Sequence, residues 1–180
     1  MRKVNPNATK GKLLEQRANS LQIDLTTVNE HPTQIYKTEN VPKSVFERCF
    51  QLVKDNMKDF DEHSSLGWND ANKICEMKTS GGFYIVMEEG FASIRFEAEA
   101  NHINCYLWEI QIDKKYVHQG FGTLLMDFVF YVCREAHCKK ISLLVLRSNT
   151  FAKQFYDKLG FKENARLAQS DDVWIMEKKL

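Results

Sequence analysis

A charge excess of either sign is missing from this sequence. Lysine and arginine number 25, aspartate and glutamate 24, for a formal net charge of +1. That balance removes any overall electrostatic case for nucleic acid, and no direct DNA binding is expected. Paired cysteines are missing too. Cys49, Cys75, Cys105, Cys133 and Cys138 are odd in number, scattered, and without a Cys-x-x-Cys pair. They read as reduced intracellular thiols, mostly packed in the core. No apolar run approaches the ~18–20 residues that span a bilayer, so no membrane partner is expected. No signal peptide opens the chain; the expected location is nucleus and cytoplasm, and the expected state a monomer. Internal repeats, low-complexity segments and linkers are absent. What remains is 180 residues, 43% of them hydrophobic, which suits one domain with a sizeable core.

Residues 1–12 carry Arg2, Lys3, Lys10 and Lys12 without an apolar period. They are expected to be flexible, either a solvated tail or a nuclear-import or ribosome contact. Residues 13–180 are expected to form the single domain. Leu13–Leu21 suits a short docked helix with Leu13, Leu14, Ala18 and Leu21 near one face. Residues 33–39 read as a first strand. Pro42 and the Ser44-Val-Phe-Glu47 capping box start a helix, whose stripe is Phe46, Cys49, Phe50, Val53, Met57 and Phe60. A short helix follows at 72–77. Residues 83–112 read as an antiparallel meander with turns at Glu88–Gly90 and Ala100–Asn101. In its second strand Ala92, Ile94, Phe96 and Ala98 alternate with Ser93, Arg95, Glu97 and Glu99, a core face and a charged face. A helix over 120–136 leads to ISLLVL at 141–146, a central strand covered on both faces. A helix capped at Ser148 or Asn149 ends at Gly160, and two strands close the chain around a polar loop at 165–172. The predicted class is α+β, a mostly antiparallel mixed sheet with a parallel crossover at its centre and helices on both faces.

The stretch Cys105–Met126, CYLWEIQIDKKYVHQGFGTLLM, carries the chemistry. An apolar strand runs through a charged bend into a glycine turn and then an amphipathic helix. Such a turn presents unpaired N–H groups and the positive end of the helix dipole to an anion. Glu109 lies on the strand just before it. Gly120 and Gly122 alone are also compatible with a plain tight turn. The pattern is neither a Walker loop nor a dinucleotide fingerprint. Cys133 and His137 stand four apart on a helix but lack a third ligand, so no metal is expected.

Farther on, Asn149-Thr-Phe-Ala152-Lys-Gln-Phe155-Tyr156 is followed by Gly160-Phe161. With the glycine turn, this resembles the Gcn5-related N-acetyltransferase (GNAT) superfamily. That superfamily's cofactor turn reads Arg/Gln-x-x-Gly-x-Gly/Ala, and its second signature Asn-x-x-Ala-x-x-Phe/Tyr-Tyr, then Gly-Phe. Val117 stands where Arg or Gln is usual. Phe50–Met57, Leu66-Gly-Trp68-Asn-Asp70, Glu76-Met77, Arg95-Phe96-Glu97 and Cys105-Tyr106-Leu-Trp108-Glu109 resemble, within that superfamily, the N-alpha-acetyltransferase D family. The resemblance implies a GNAT fold with an extra N-terminal helix. It also implies acetyl transfer from acetyl-CoA to the N-terminal Ser of histones H-four and H-two-A, whose N-termini begin Ser-Gly-Arg-Gly.

Roles follow from the resemblance residue by residue. Glu109 is the implied general base, directly or through a water. Glu97 is implied to activate or orient the amine, though the family residue is Asp. Tyr156 is implied as proton donor to the leaving thiolate; an aromatic at helical spacing is more often core. The implied cofactor residues are Ile110, Gln111, Ile112, Val117, His118, Gln119, Gly120, Phe121, Gly122, Thr123, Asn149, Phe155 and Tyr156. The implied peptide contacts are Asp61, Trp68, Glu97, Glu99, Tyr106, Trp108 and Ser170. Leu66 and Asp61 stand where close relatives have Trp and Tyr. The competing readings are a GNAT enzyme acting on lysine or a small amine, and an acyl-CoA-binding module without chemistry.

Overall fold

A computed structural model of the chain describes residues 6–21, 31–99, 102–167 and 170–180. The expected turn at 100–101 and residues 1–5 lie outside the described residues. The described strands form one sheet in the order β1-β2-β3-β4-β5-β7-β6. These are β1 (Gln34–Lys37), β2 (Gly82–Met87), β3 (Gly90–Glu99), β4 (His102–Ile112), β5 (Lys140–Leu146), β6 (Lys162–Glu163) and β7 (Val173–Lys179). The helices are α1 (Pro6–Asn19), α2 (Lys43–Glu62), α3 (Asp70–Met77), α4 (Phe121–Glu135) and α5 (Thr150–Lys158). Neighbouring strands are antiparallel except β4 and β5, which are parallel. The α4 crossover between them makes that parallel step possible. The α+β expectation therefore holds.

Alternation along β2 separates two cores. Phe83, Ile85 and Met87 join Ala18 of α1 and Leu125, Phe128, Val129 and Val132 of α4. Tyr84 and Val86 join Cys49 and Val53 of α2 and Met77 of α3. Helices thus cover both faces of the sheet, and β2 is buried throughout.

Several local expectations need correction. The first helix begins at Pro6 and takes in residues 6–12, which were expected outside it. Leu13 is 61% exposed, because the helical turn carries it off the face that Leu14, Ala18 and Leu21 present to the core. The Ser44–Glu47 capping box does not form. Pro42 is the N-cap, without a side-chain bond, so Ser44 already lies inside the helix. Ser93 is buried and Arg95 half-buried, not solvent-facing, because α2 and α3 cover that face of β3. Arg95 stacks 4.0 Å over the Trp108 ring and donates at 2.5 Å to the Glu76 carbonyl. On β5, Leu144 is 36% exposed, because this part of the strand lines an open cleft.

That cleft is the main consequence of the topology. The β4–β5 pairing is confined to Cys105–Ile141 and Tyr106–Ser142. Beyond it β4 runs on to Ile112 and β5 to Leu146. The parting strands leave a cavity of about 1020 Å³.

Gly90 holds β3 and β4 in register at the far end. A Cβ there would lie 2.1 Å from the Gln111 carbonyl oxygen. Gly90→Ala must move backbone, and is expected to cost about 1–3 kcal/mol in denaturant unfolding.

Candidate active site

The β3–β4 ladder slips at one point. Ile94 pairs with Leu107 and Ser93 with Glu109, so Trp108 is an extra, bulged residue. A bulge re-aims the side chains that follow it. Tyr106 and Trp108 share a face by alternation, and their rings meet edge to face at 5.2 Å. The slip turns Glu109 to the same side. Both reach α3: the Trp108 Nε1–H donates at 2.5 Å to Glu76, and Lys73 Nζ lies 3.6 Å from a Glu109 oxygen.

Glu109 is held by few partners. Its second oxygen accepts a hydrogen bond from Gln111 Nε2 at 2.8 Å. The Asn56 amide donates to Gln111 Oε1 at 3.1 Å and to the Ile112 carbonyl at 3.0 Å. The side chain is 9% exposed. Burial pushes the Glu109 carboxyl up, Lys73 and the Gln111 bond pull it down, and Glu76 and Asp61 push it up again. The net direction is upward, toward the range where a carboxylate works as a base near neutral pH. Asp61, at the end of α2, is 5% exposed and also raised, by burial first and Glu76 after it, against the pull of Lys73.

Aromatic side chains make the wall. Trp68 donates to Asp70 at 2.6 Å and stacks with Phe50 at 6.4 Å. Burial pushes the Tyr106 phenol up to about 12. Tyr156 on α5 is 6% exposed, in ring contact with Phe155 and Phe161. Burial raises its phenol, with the charges of Glu109 and Tyr106 adding to it. It belongs to the core and to the cleft wall at once.

At the other end of the cleft, α4 starts at the glycine turn. Gly120 is left-handed, φ 91°, and no side chain caps the helix. The first N–H groups of a helix have no intrahelical partner, and here Gly120, Gly122 and Thr123 line the cleft. The Phe155 ring packs 3.5 Å from where a Cβ on Gly122 would stand. Asn149 caps α5 through its carbonyl, accepting from the Ala152 N–H at 3.1 Å.

Residues 45–161 match the acetyltransferase (GNAT) family. The chain belongs to that family. The uncharacterized Bacillus subtilis protein YdhI is 30% identical over 96 residues, 48% of this chain and 59% of YdhI. YxbD, an uncharacterized protein from the same organism, is 28% identical over 137 residues, 71% of this chain and 74% of YxbD. A structure of Arabidopsis thaliana Naa50 in complex with the bisubstrate analogue CoA-Ac-MVNAL superposes with a TM-score of 0.57 at 17% identity, covering 82% of this chain and 99% of that one.

Within this GNAT fold, the expected site residues divide. The cleft is lined by Glu109, Ile110, Gln111, Ile112, Val117, His118, Gly120, Gly122, Thr123, Asn149, Phe155 and Tyr156, and on the other wall by Asp61, Trp68, Tyr106 and Trp108. Gln119 and Phe121 are not among the lining residues. Gln119 donates to the Lys115 carbonyl at 2.9 Å, and Phe121 packs on Tyr116 and His31. Glu97, Glu99 and Ser170 are outside the lining as well. Glu97 is exposed on β3, with its charge acting on Tyr106 and Arg95. Glu99 is committed to Lys140 at 3.1 Å and Asn104 at 2.7 Å. Ser170 lies 3.3 Å from Ser65, beside the bond from the Ser65 N–H to Asp172 at 2.8 Å. That tie joins the α2–α3 loop to the β6–β7 loop. Sequence reasoning missed Asn56, Lys73, Glu76 and Arg95. Asn56, Glu76 and Arg95 lie in stretches that carry the family resemblance, and Lys73 stands i,i+3 from Glu76 on the short helix.

Gly120→Ala places a side chain at a left-handed position with open space around it. It should cost about 1–2 kcal/mol in thermal unfolding, from backbone strain alone.

Proposed function

We propose that this GNAT enzyme acetylates the N-terminal α-amine of a peptide, with Glu109 as general base. The carrying observation is the buried Glu109 carboxylate, brought by the bulge into an aromatic-walled cleft whose other end is the glycine turn. The match of the aromatic strand motif to the N-alpha-acetyltransferase D family supports the same reading. So does the fold shared with Naa50, whose bisubstrate analogue joins CoA to a peptide.

The cofactor is acetyl-CoA, and the residues present fit it. Open space around Gly120 and the uncapped start of α4 suit a pyrophosphate. Backbone groups of 117–123 would hold that part, and Asn149 the pantetheine end. Val117 contributes only backbone here, since its side chain cannot add charge to the turn. When bound, acetyl-CoA supplies a thioester carbonyl for attack by the amine.

An α-ammonium has a pKa near 7.7–8.0 and must lose its proton before attack. Glu109, raised by burial, takes that proton. Tyr106, Trp108 and Trp68 confine the first peptide residue. The phenol of Tyr156, held neutral by burial, is the available donor to the leaving sulfur, and its raised pKa makes it a reluctant acid. Glu97, exposed beside Tyr106, is the acid we assign to a substrate arginine; Glu99 already has partners. The reading extends to a Ser-Gly-Arg-Gly terminus, as on histones H-four and H-two-A.

The test is acetyl transfer to Ser-Gly-Arg-Gly-Lys, free or blocked at its N-terminus. Transfer to the free peptide alone is expected. Equal transfer to both sinks the α-amine reading in favour of lysine, and no transfer by folded, acetyl-CoA-bound protein favours a binding module. Glu109→Gln should lower kcat by about 100-fold or more while leaving acetyl-CoA affinity within about threefold. In the wild type, kcat at saturating peptide should fall on the acid side as Glu109 takes up a proton. Because its carboxyl is raised, that fall begins at a higher pH than an ordinary glutamate would give.

A further inference from the structure

Lys73 enters the cleft from α3, and its side chain is 17% exposed. Its ammonium lies 3.1 Å from Glu76 Oε1 and 3.6 Å from Glu109 Oε1. The groups facing Glu109 come from several elements: Asp61 from α2, Lys73 and Glu76 from α3, Gln111 and Tyr106 from β4, Tyr84 from β2 and Tyr156 from α5. Lys73 is the cation in that set. Asp61, Glu76 and Glu109 together outnumber it by two negative charges. Without it, Glu109 would face two other acids with only the Gln111 amide for support. A desolvated carboxyl in that position keeps its proton, and a protonated carboxyl is no base.

Lys73 is not placed to be an acetyl acceptor itself. Burial pulls Lys73 toward its neutral form, but Glu109 and Glu76 outweigh burial and favour the charged ammonium. A charged ammonium has no lone pair for attack.

We propose that Lys73 is a positioning residue: by bridging Glu76 and Glu109 it fixes the Glu109 carboxylate in the cleft and sets the pH at which the base becomes active. The inference rests on Glu109 being the base. Lys73 reaches the Glu76 and Glu109 oxygens with its ammonium. It acts through Glu109, with Glu76 as the counterweight that keeps the bridge from collapsing onto one acid.

The experiment is the pH dependence of kcat at saturating Ser-Gly-Arg-Gly peptide and acetyl-CoA, which removes the ionisation of the free peptide amine, using the full chain. In Lys73→Met the acid limb should move up by about one pH unit or more, since an opposite charge at this distance has been removed. In Glu76→Gln it should move down, because a neighbouring negative charge is gone while the Gln oxygen still accepts from Trp108. Lys73→Arg should restore a limb close to the wild-type position. A Lys73→Met enzyme that is slower by one constant factor at every pH, with the limb unmoved, overturns the proposal and leaves Lys73 a structural residue. If Lys73→Met does not fold, Lys73→Gln decides: an upward limb supports the proposal and an unmoved limb overturns it. Glu109→Gln separates the two claims. If the limb survives there, Glu109 is not the base, and both fall. If the limb is lost there but ignores Lys73 and Glu76, this inference alone falls.

Discussion

One extra residue in β4 decides what this site can be. Without the bulge at Trp108, strict alternation would send Trp108 and Glu109 to opposite faces of the sheet. With it, Tyr106, Trp108 and Glu109 face α3 together, and Gln111 follows two residues on. The ladder pays for the slip with unpaired backbone at one position, and packing against α3 holds the distortion in place. Arg95 stacking on Trp108 and the Trp108 bond to Glu76 clamp the bulged residue from both sides. The same strand then leaves β5 after two paired positions. Bulge and splay act together: one aims the acid, the other opens the space it aims into.

Electrostatics in that space is a contest between burial and a single ammonium. Desolvation is the largest influence on Asp61 and on Glu109, and in both it favours the neutral form. Lys73 opposes it for both. Complete neutralisation of Glu109 by a closer, fully buried ion pair would leave an acid too weak as a base. Complete burial without Lys73 would leave it protonated. The 3.6 Å separation and the sharing of the ammonium with Glu76 lie between those limits. This balance is local, and a chain with a net charge of +1 reveals nothing of it.

Much of the fold was legible because its signals are local. The Asn149 cap, the Gly160 stop and the glycine turn depend on residues a few positions apart, and each stands where the sequence put it. The parallel crossover was legible because a strand, helix, strand order demands it. The bulge was not, since Leu107-Trp108-Glu109 reads as ordinary strand whatever its partner does. Ser93 and Arg95 looked like a solvent face because alternation cannot say what covers the polar side; α2 and α3, distant in sequence, do. Lys73 escaped notice for the same reason. Leu144 was read as core because an apolar strand at the centre of a sheet usually is, and only the parting of β4 from β5 exposes it.

The two ends of the cleft are built by different parts of the chain, and this bears on how far the family resemblance reaches. The glycine turn, α4 and the α5 cap all fall between 113 and 161, in the part that carries the superfamily's two signatures. Such residues handle what every member shares, the acetyl donor. The walls at the other end, which the proposed reading gives to the acceptor, come from α2, α3 and the α2–α3 loop. Trp68 and Asp70 lock to each other and to Lys54, so that loop is a preformed wall, not a slack connection. Donor chemistry can therefore stay constant while the acceptor end is rebuilt by changing one loop and one short helix. On the proposed reading, substrate choice is to be sought in residues 61–76 together with Glu97, Tyr106 and Trp108 of the sheet, and Glu109 is where the two halves meet.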